Sequence, residues 1–96
     1  MELFIFARFH AQFGHEQAVA NALARQVAFA RTEPGCLEIG AYGAENDRRL
    51  FFIQSRWSDK AAFEVHAALL NTVQFVESME QLTDHPFDVS RTYRIA

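Results

Sequence analysis

Leu3, Ile5, Ala7 and Phe9 alternate with Phe4, Phe6, Arg8 and His10, and Gln12-Phe13-Gly14 closes the run. An aromatic and β-branched stretch ended by such a turn predicts a first strand over 3–10. Both alternating sets begin apolar, so this strand is expected in the middle of a sheet, covered on both sides. From Glu16 to Arg31 the period lengthens, with Val19, Leu23, Val27 and Ala30 at helical spacing and Gln17, Asn21 and Arg25 elsewhere. Alanine is plentiful there and no Gly or Pro interrupts, so helix propensity agrees with the pattern. Glu16 in the first turn and Arg31 in the last suit the helix dipole. Glu33-Pro34-Gly35 then stops the helix.

Cys36 to Tyr42 and Leu50 to Trp57 are apolar-aromatic runs around Gly43-Ala44-Glu45-Asn46-Asp47, which predicts a hairpin. Ser58-Asp59 offers an N-cap for a second helical region whose stripe is Phe63, His66, Ala67 and Leu70. Asn71-Thr72-Val73-Gln74 has the pattern of a capping box, predicting that the helix breaks and restarts there. Phe75, Val76, Met79 and Leu82 continue the apolar face to Asp84-His85-Pro86. Phe87, Val89, Tyr93 and Ile95, alternating with Asp88, Ser90 and Arg94, predict a half-exposed last strand. The order β-α-β-β-α-β is the ferredoxin-like α+β arrangement, a single domain over 1–96. Right-handed crossovers put the helices on one face of a four-stranded antiparallel sheet. The other face is left bare, and a second copy of the chain is its simplest cover, so a homodimer is expected.

Composition sharpens that picture. The 96 residues are half apolar and include ten Phe. A domain this small hides only about 60% of its unfolded surface. Surplus aromatic surface is therefore expected at a subunit interface, in a ligand pocket, or both. A net charge of −3 and a pI near 5.7 argue against a nucleic-acid or anionic-membrane partner. A lone cysteine forms no intramolecular disulfide, and no apolar stretch approaches the length that spans a bilayer. Arg8 and His10 follow too soon after Met1 for a signal peptide. The expectation is a cytoplasmic domain.

No nucleotide-binding, metalloprotease, CxxC or GxSxG motif occurs. The histidines show no paired spacing on one helix, so no metal site is expected. His10, His15 and His85 fall at element ends, where solvated roles are usual. His66 differs, because it shares the apolar stripe of the second helix. It reads either as a core histidine bonded to backbone or hydroxyl, or as a proton-transfer group at a pocket between helix and sheet. Trp57 reads as core or as the wall of a flat aromatic-accepting cavity. Asn71 reads as an N-cap or as a substrate hydrogen-bonder. Cys36 reads as a small buried hydrophobe, since no base is placed to activate it. Arg8 is expected to meet a carboxylate or a pocket, and Arg48-Arg49 to form a solvated turn.

Arg31-Thr32-Glu33-Pro34-Gly35-Cys36-Leu37 resembles the R-x-E-P-G-C-L junction of antibiotic biosynthesis monooxygenase (ABM) domains. Trp57, Ser58-Asp59-Lys60-Ala61-Ala62-Phe63 and His66 resemble that family's following segment, and Phe75 stands where it often has an aromatic. The resemblance implies a dimeric α/β barrel of ferredoxin-like protomers with a pocket between helices and sheet. It implies a cofactor-independent monooxygenase that oxidises a quinol or polycyclic phenol with O2. Phe6, Ser55, Trp57, His66, Asn71 and Phe75 are the expected lining. His66 would accept a proton or stabilise the anion, Ser55 and Asn71 would orient the ring, and Phe6, Trp57 and Phe75 would contact it. Two positions depart from the family pattern: Ser55 replaces its acidic residue and Asn71 its second histidine. In the haem-degrading branch the axial histidine would fall on Val76 and the first-strand asparagine on Ala7, so no haem is expected. The alternative, from another class, is a non-catalytic dimeric binding or stress-response module on the same scaffold.

Overall fold

The alternation of β1 (Leu3–His10) is realised residue by residue: Leu3, Ile5, Ala7 and Phe9 are buried, and the other set turns away from them. The computed structural model describes Met1 to Ala96 throughout. β1 lies between β3 (Leu50–Trp57) and β4 (Asp88–Thr92), with β2 (Cys36–Gly43) beyond β3. Every pairing is antiparallel, in the order β2-β3-β1-β4. The register sets Ile5 opposite both Ser55 and Arg91, and Ile39 opposite Ser55. These four side chains therefore share one face of the sheet.

That face is covered by α1 (Glu16–Ala30), α2 (Lys60–Ala68) and α3 (Leu70–Leu82). Trp57, Phe9, Leu23, Met79 and Val19 are completely enclosed between them. β1 is central as expected, but within the chain only one of its faces is covered. Phe6 stands 52% exposed on the other, so it cannot line a pocket beneath the helices. The period of two that buries Ile5 sends Phe6 outward. Arg8 is exposed on that same bare face, opposite Asp88.

Asp59 caps α2 as the sequence indicates, its carboxylate accepting from the Ala62 N–H at 2.8 Å. The break between α2 and α3 comes at Leu69, two residues before Asn71, and uses no side-chain cap. Leu69 adopts φ −66°, ψ 145°; its N–H donates to the His66 carbonyl and its own carbonyl accepts from Val73. Backbone alone satisfies the junction, so Asn71 is already inside the first turn of α3. β4 ends at Thr92 rather than reaching Ile95, which is fully exposed. Thr92 pairs with Phe4, so only Tyr93 would still face β1, at its first residue Leu3, and the residues beyond have run past the strand.

Candidate active site

The α1–β2 turn and the first helix of the α2–α3 pair meet at Gly35. Its φ of +84° suits glycine, and its α-carbon faces Ala62 and Ser58 so closely that a side chain would collide with both. The Ser58 N–H donates to the Gly35 carbonyl at 2.8 Å, tying the turn to the start of α2. This approach carries Glu33 to the buried face of α2, where its Oε1 meets His66 Nδ1 at 2.5 Å. Both side chains are about nine-tenths buried. The other carboxylate oxygen, Oε2, is buried with no partner. A carboxylate can only accept, so Nδ1 carries the proton; in the neutral ring the lone pair then sits on Nε2, which has no partner in the protein.

The indole of Trp57 packs 4.5 Å from the imidazole, and Phe63 lies 5.7 Å from it, centroid to centroid. Trp57 Nε1 donates to Ser55 Oγ at 3.0 Å. The pair Glu33–His66 is thus clamped by aromatic rings, which hold the imidazole in one orientation.

His66 borders a cavity of about 340 Å³ between the inner face of the sheet and α2–α3. Ile5, Ile53, Phe63, Phe75 and Val76 are among its mostly apolar walls. Its polar groups are His66, Ser55, Gln26, Thr72 and, on β4, Arg91. Gln26 Nε2 donates to Thr72 Oγ1 at 3.2 Å, so those two largely satisfy one another. The hydroxyl proton of Ser55 has no acceptor in the protein, because Ser55 Oγ is engaged only as an acceptor from Trp57. Such a cavity accommodates a flat apolar ring, with a proton acceptor and a hydroxyl donor in its walls.

Of the residues singled out from the sequence, the fold brings His66, Ser55 and Phe75 to this cavity. Trp57 is wholly buried, in contact with His66 but not part of the lining. Asn71 faces a separate hollow of about 240 Å³ between α1 and α3, shared with Arg25 and Gln74, and its Nδ2 is buried without a partner. Phe6 lies on the far side of the sheet. Glu33, although part of the junction motif, and Arg91 are not among the lining residues the sequence leads one to expect. Glu33 reads as a helix stop, and no spacing rule links it to a histidine 33 residues away. Arg91 did leave a signal: in the alternation Phe87, Val89, Tyr93 it occupies the skipped apolar position.

A second polar cluster lies at the end of β1. His10 Nδ1 donates to Asp84 Oδ2 at 2.8 Å and Nε2 to Asp47 Oδ2 at 3.0 Å. The Asp84 and Asp47 hydrogen bonds raise the His10 pKa above its ordinary value. Arg49 donates to Asp84 at 2.8 Å and to the Ala11 carbonyl at 2.9 Å, so it is a tether rather than a solvated turn residue. His85 Nδ1 is 2.6 Å from Asp84 Oδ1. His10 and His85 therefore belong to a network, not to isolated element ends. Both nitrogens of His10 are spent on carboxylates, and Arg49 already balances Asp84, which makes the cluster an ionic clasp joining three loops. Cys36 is partly buried, and burial pushes its thiol up, away from the nucleophilic form.

The sequence pattern of the family described as antibiotic biosynthesis monooxygenase matches residues 3–80. PA3566 from Pseudomonas aeruginosa superposes with a TM-score of 0.90 at 30% identity, covering 99% of this chain and 95% of that one. Rv0793 from Mycobacterium tuberculosis gives 0.94 at 17% identity, over 100% and 97% of the two chains. SnoaB, a cofactor-independent oxygenase from Streptomyces nogalater, gives 0.86 at 17% identity, over 97% and 92%. The last two likenesses speak to the fold alone. A search of curated proteins gives no match. With the matched segment running from the first strand into the last helix, the chain belongs to the antibiotic biosynthesis monooxygenase family.

Proposed function

We propose that this protein is a cofactor-independent monooxygenase that oxidises a polycyclic phenol or quinol with O2. The observation that carries the reading is the buried Glu33–His66 pair, whose imidazole borders an apolar cavity. Glu33 fixes the tautomer, so Nε2 is the free acceptor for a substrate proton. The mostly apolar walls suit a flat ring, and the Ser55 hydroxyl can donate to the oxyanion that forms. The likeness to SnoaB adds a precedent for this chemistry on this fold.

For an anthrone-type phenol the steps balance. His66 removes a proton from the ring methylene, and the resulting carbanion passes one electron to O2. The radical pair combines into a carbon-bound peroxide, which takes up a proton. Loss of water leaves a carbonyl. One oxygen atom ends in the carbonyl and the other in water, and the methylene supplies all four electrons.

The test is oxygen uptake by chelator-treated protein with 1,8-dihydroxyanthrone, followed together with anthraquinone formation. One O2 per quinone is expected, and His66→Gln, which can still donate to Glu33, should lower turnover on the order of 100-fold. Absence of uptake, or unchanged turnover in folded His66→Gln, overturns the proposal. The binding-module alternative draws on Ser55 and Asn71, two non-ionisable residues where the family pattern is acidic or basic. Saturable ring binding without oxygen uptake would favour it.

A further inference from the structure

We infer that Arg91 forms an anion subsite at the cavity, so that the preferred ligand is an aromatic ring bearing a carboxylate. This rests on reading the cavity as the substrate site, though not on the oxygen chemistry. Arg91 lies on the inner face of β4 opposite Ile5, and it borders the cavity. Its guanidinium carbon sits 5.0 Å from the ring centroid of Phe63, and that ring also packs against His66. The cation is thereby held over an apolar wall of the same chamber that holds the proton acceptor.

The hydrogen-bonding capacity of Arg91 is unspent. Arg31, Arg49, Arg56 and Arg94 each donate to a protein oxygen at 2.6–3.1 Å. Arg91, like the exposed Arg8, Arg25 and Arg48, donates to none, and of these four it alone borders the cavity. Its nearest carboxylate, Glu64, is 3.8 Å away, beyond hydrogen-bonding distance, and the same oxygen is equally far from Lys60. An ion pair this long and half exposed is weak and easily exchanged for a ligand. The guanidinium fork matches a carboxylate in two parallel hydrogen bonds. No Asp or Glu lines the cavity to oppose an anion, although the chain as a whole is acidic. The one carboxylate near His66, Glu33, is occupied by it. A ligand that reaches from Arg91 into the apolar chamber therefore places its ring where His66 and Ser55 can act on it.

Calorimetric titration with 2-naphthoate and its neutral isostere 2-naphthamide tests the inference. The natural protein should bind the acid about tenfold more tightly than the amide, the scale of one charge-assisted contact at a half-exposed site. Arg91→Gln should erase the preference by weakening the acid alone. Arg91→Lys should keep part of it. His66→Gln should keep all of it, which separates Arg91 from the imidazole as the source of charge recognition. Equal affinities in the natural protein, a preference that survives Arg91→Gln, or failure of both ligands to bind overturns the inference. A clear preference without oxygen uptake leaves this subsite standing and removes the monooxygenase reading. Uptake with neutral phenols and no acid preference does the reverse.

Discussion

Gly35 stands where one side chain would disturb both fold and site. A β-carbon there would come 2.5 Å from the Ala62 Cβ and 2.9 Å from the Ser58 Oγ, at a φ of +84°. Gly35→Ala is therefore expected to destabilise by about 2–4 kcal/mol in urea unfolding, combining backbone strain with overpacking. It should also push the α1–β2 turn off α2 and weaken the contact between Glu33 and His66. Gly14 supplies the control, with a similar φ of +85° and nothing within 4 Å of its added carbon. Gly14→Ala should lose only the left-handed backbone penalty, roughly 1–2 kcal/mol. Equal losses at the two positions would mean that the Ala62 contact contributes nothing.

Between elements, the clasp around His10 ties the end of β1 to the β2–β3 turn through Asp47 and to the segment after α3 through Asp84. The hydrogen bond with Asp84, then that with Asp47, holds the His10 pKa above the ordinary value near 6.5. Asp84 is held low mainly by its His10 hydrogen bond, and Asp47 mainly by the Arg49 N–H and then His10. A raised histidine contributes stability that is complete below pH 6.5 and is lost as pH rises through its folded value. The lowered carboxylates contribute above their ordinary pKa near 4 and lose it as pH falls through their folded values. The clasp is accordingly complete between about pH 4 and 6.5. Thermal unfolding should show Tm declining as pH rises from 6 to 9, and His10→Gln should flatten that decline. An identical slope in the variant would show that the clasp does not couple to folding.

At the scale of the whole molecule, the bare side of the sheet carries Phe4, Phe6, Tyr42 and Phe52, with Phe6 52% and Tyr42 55% exposed. Polar residues such as Arg8, Gln54 and Ser90 stand between these rings, and exposed aromatics set in a polar surround are characteristic of a contact surface. Light scattering should give twice the 11.0 kDa chain mass at micromolar concentration. Phe6→Arg, which changes nothing in the cavity on the other side of the sheet, should shift the mass toward one chain. A monomer in the natural protein would remove the homodimer expectation and leave Phe6 without a role.

The local patterns were enough for the elements, because a period of two or of 3.6 is set by neighbours along the chain. That is why β1 and β3 fall at 3–10 and 50–57, as the alternation indicates, and why α1 begins at Glu16. The stripe Phe63, His66 turned the imidazole inward for the same reason, and Ser55 followed from the alternation of β3. What surrounds those side chains was not legible. Phe6 and Ile5 are equally apolar, and only the placement of all three helices on one face made one core and left the other exposed. Asn71 had the right residues around it for a cap, yet the backbone of Leu69 closed the junction first and left the asparagine in another hollow. Glu33 reached His66, and Arg91 the cavity that His66 borders, across 33 and 25 residues of chain, by a glycine turn pressed on α2 and by the pairing of β4 with β1. Sequence spacing is blind to such contacts, because they are made by packing between elements. Hydrophobic periodicity determined the elements and which residues share a face; the tertiary structure alone decided which face of β1 is buried and which charged groups meet around His66.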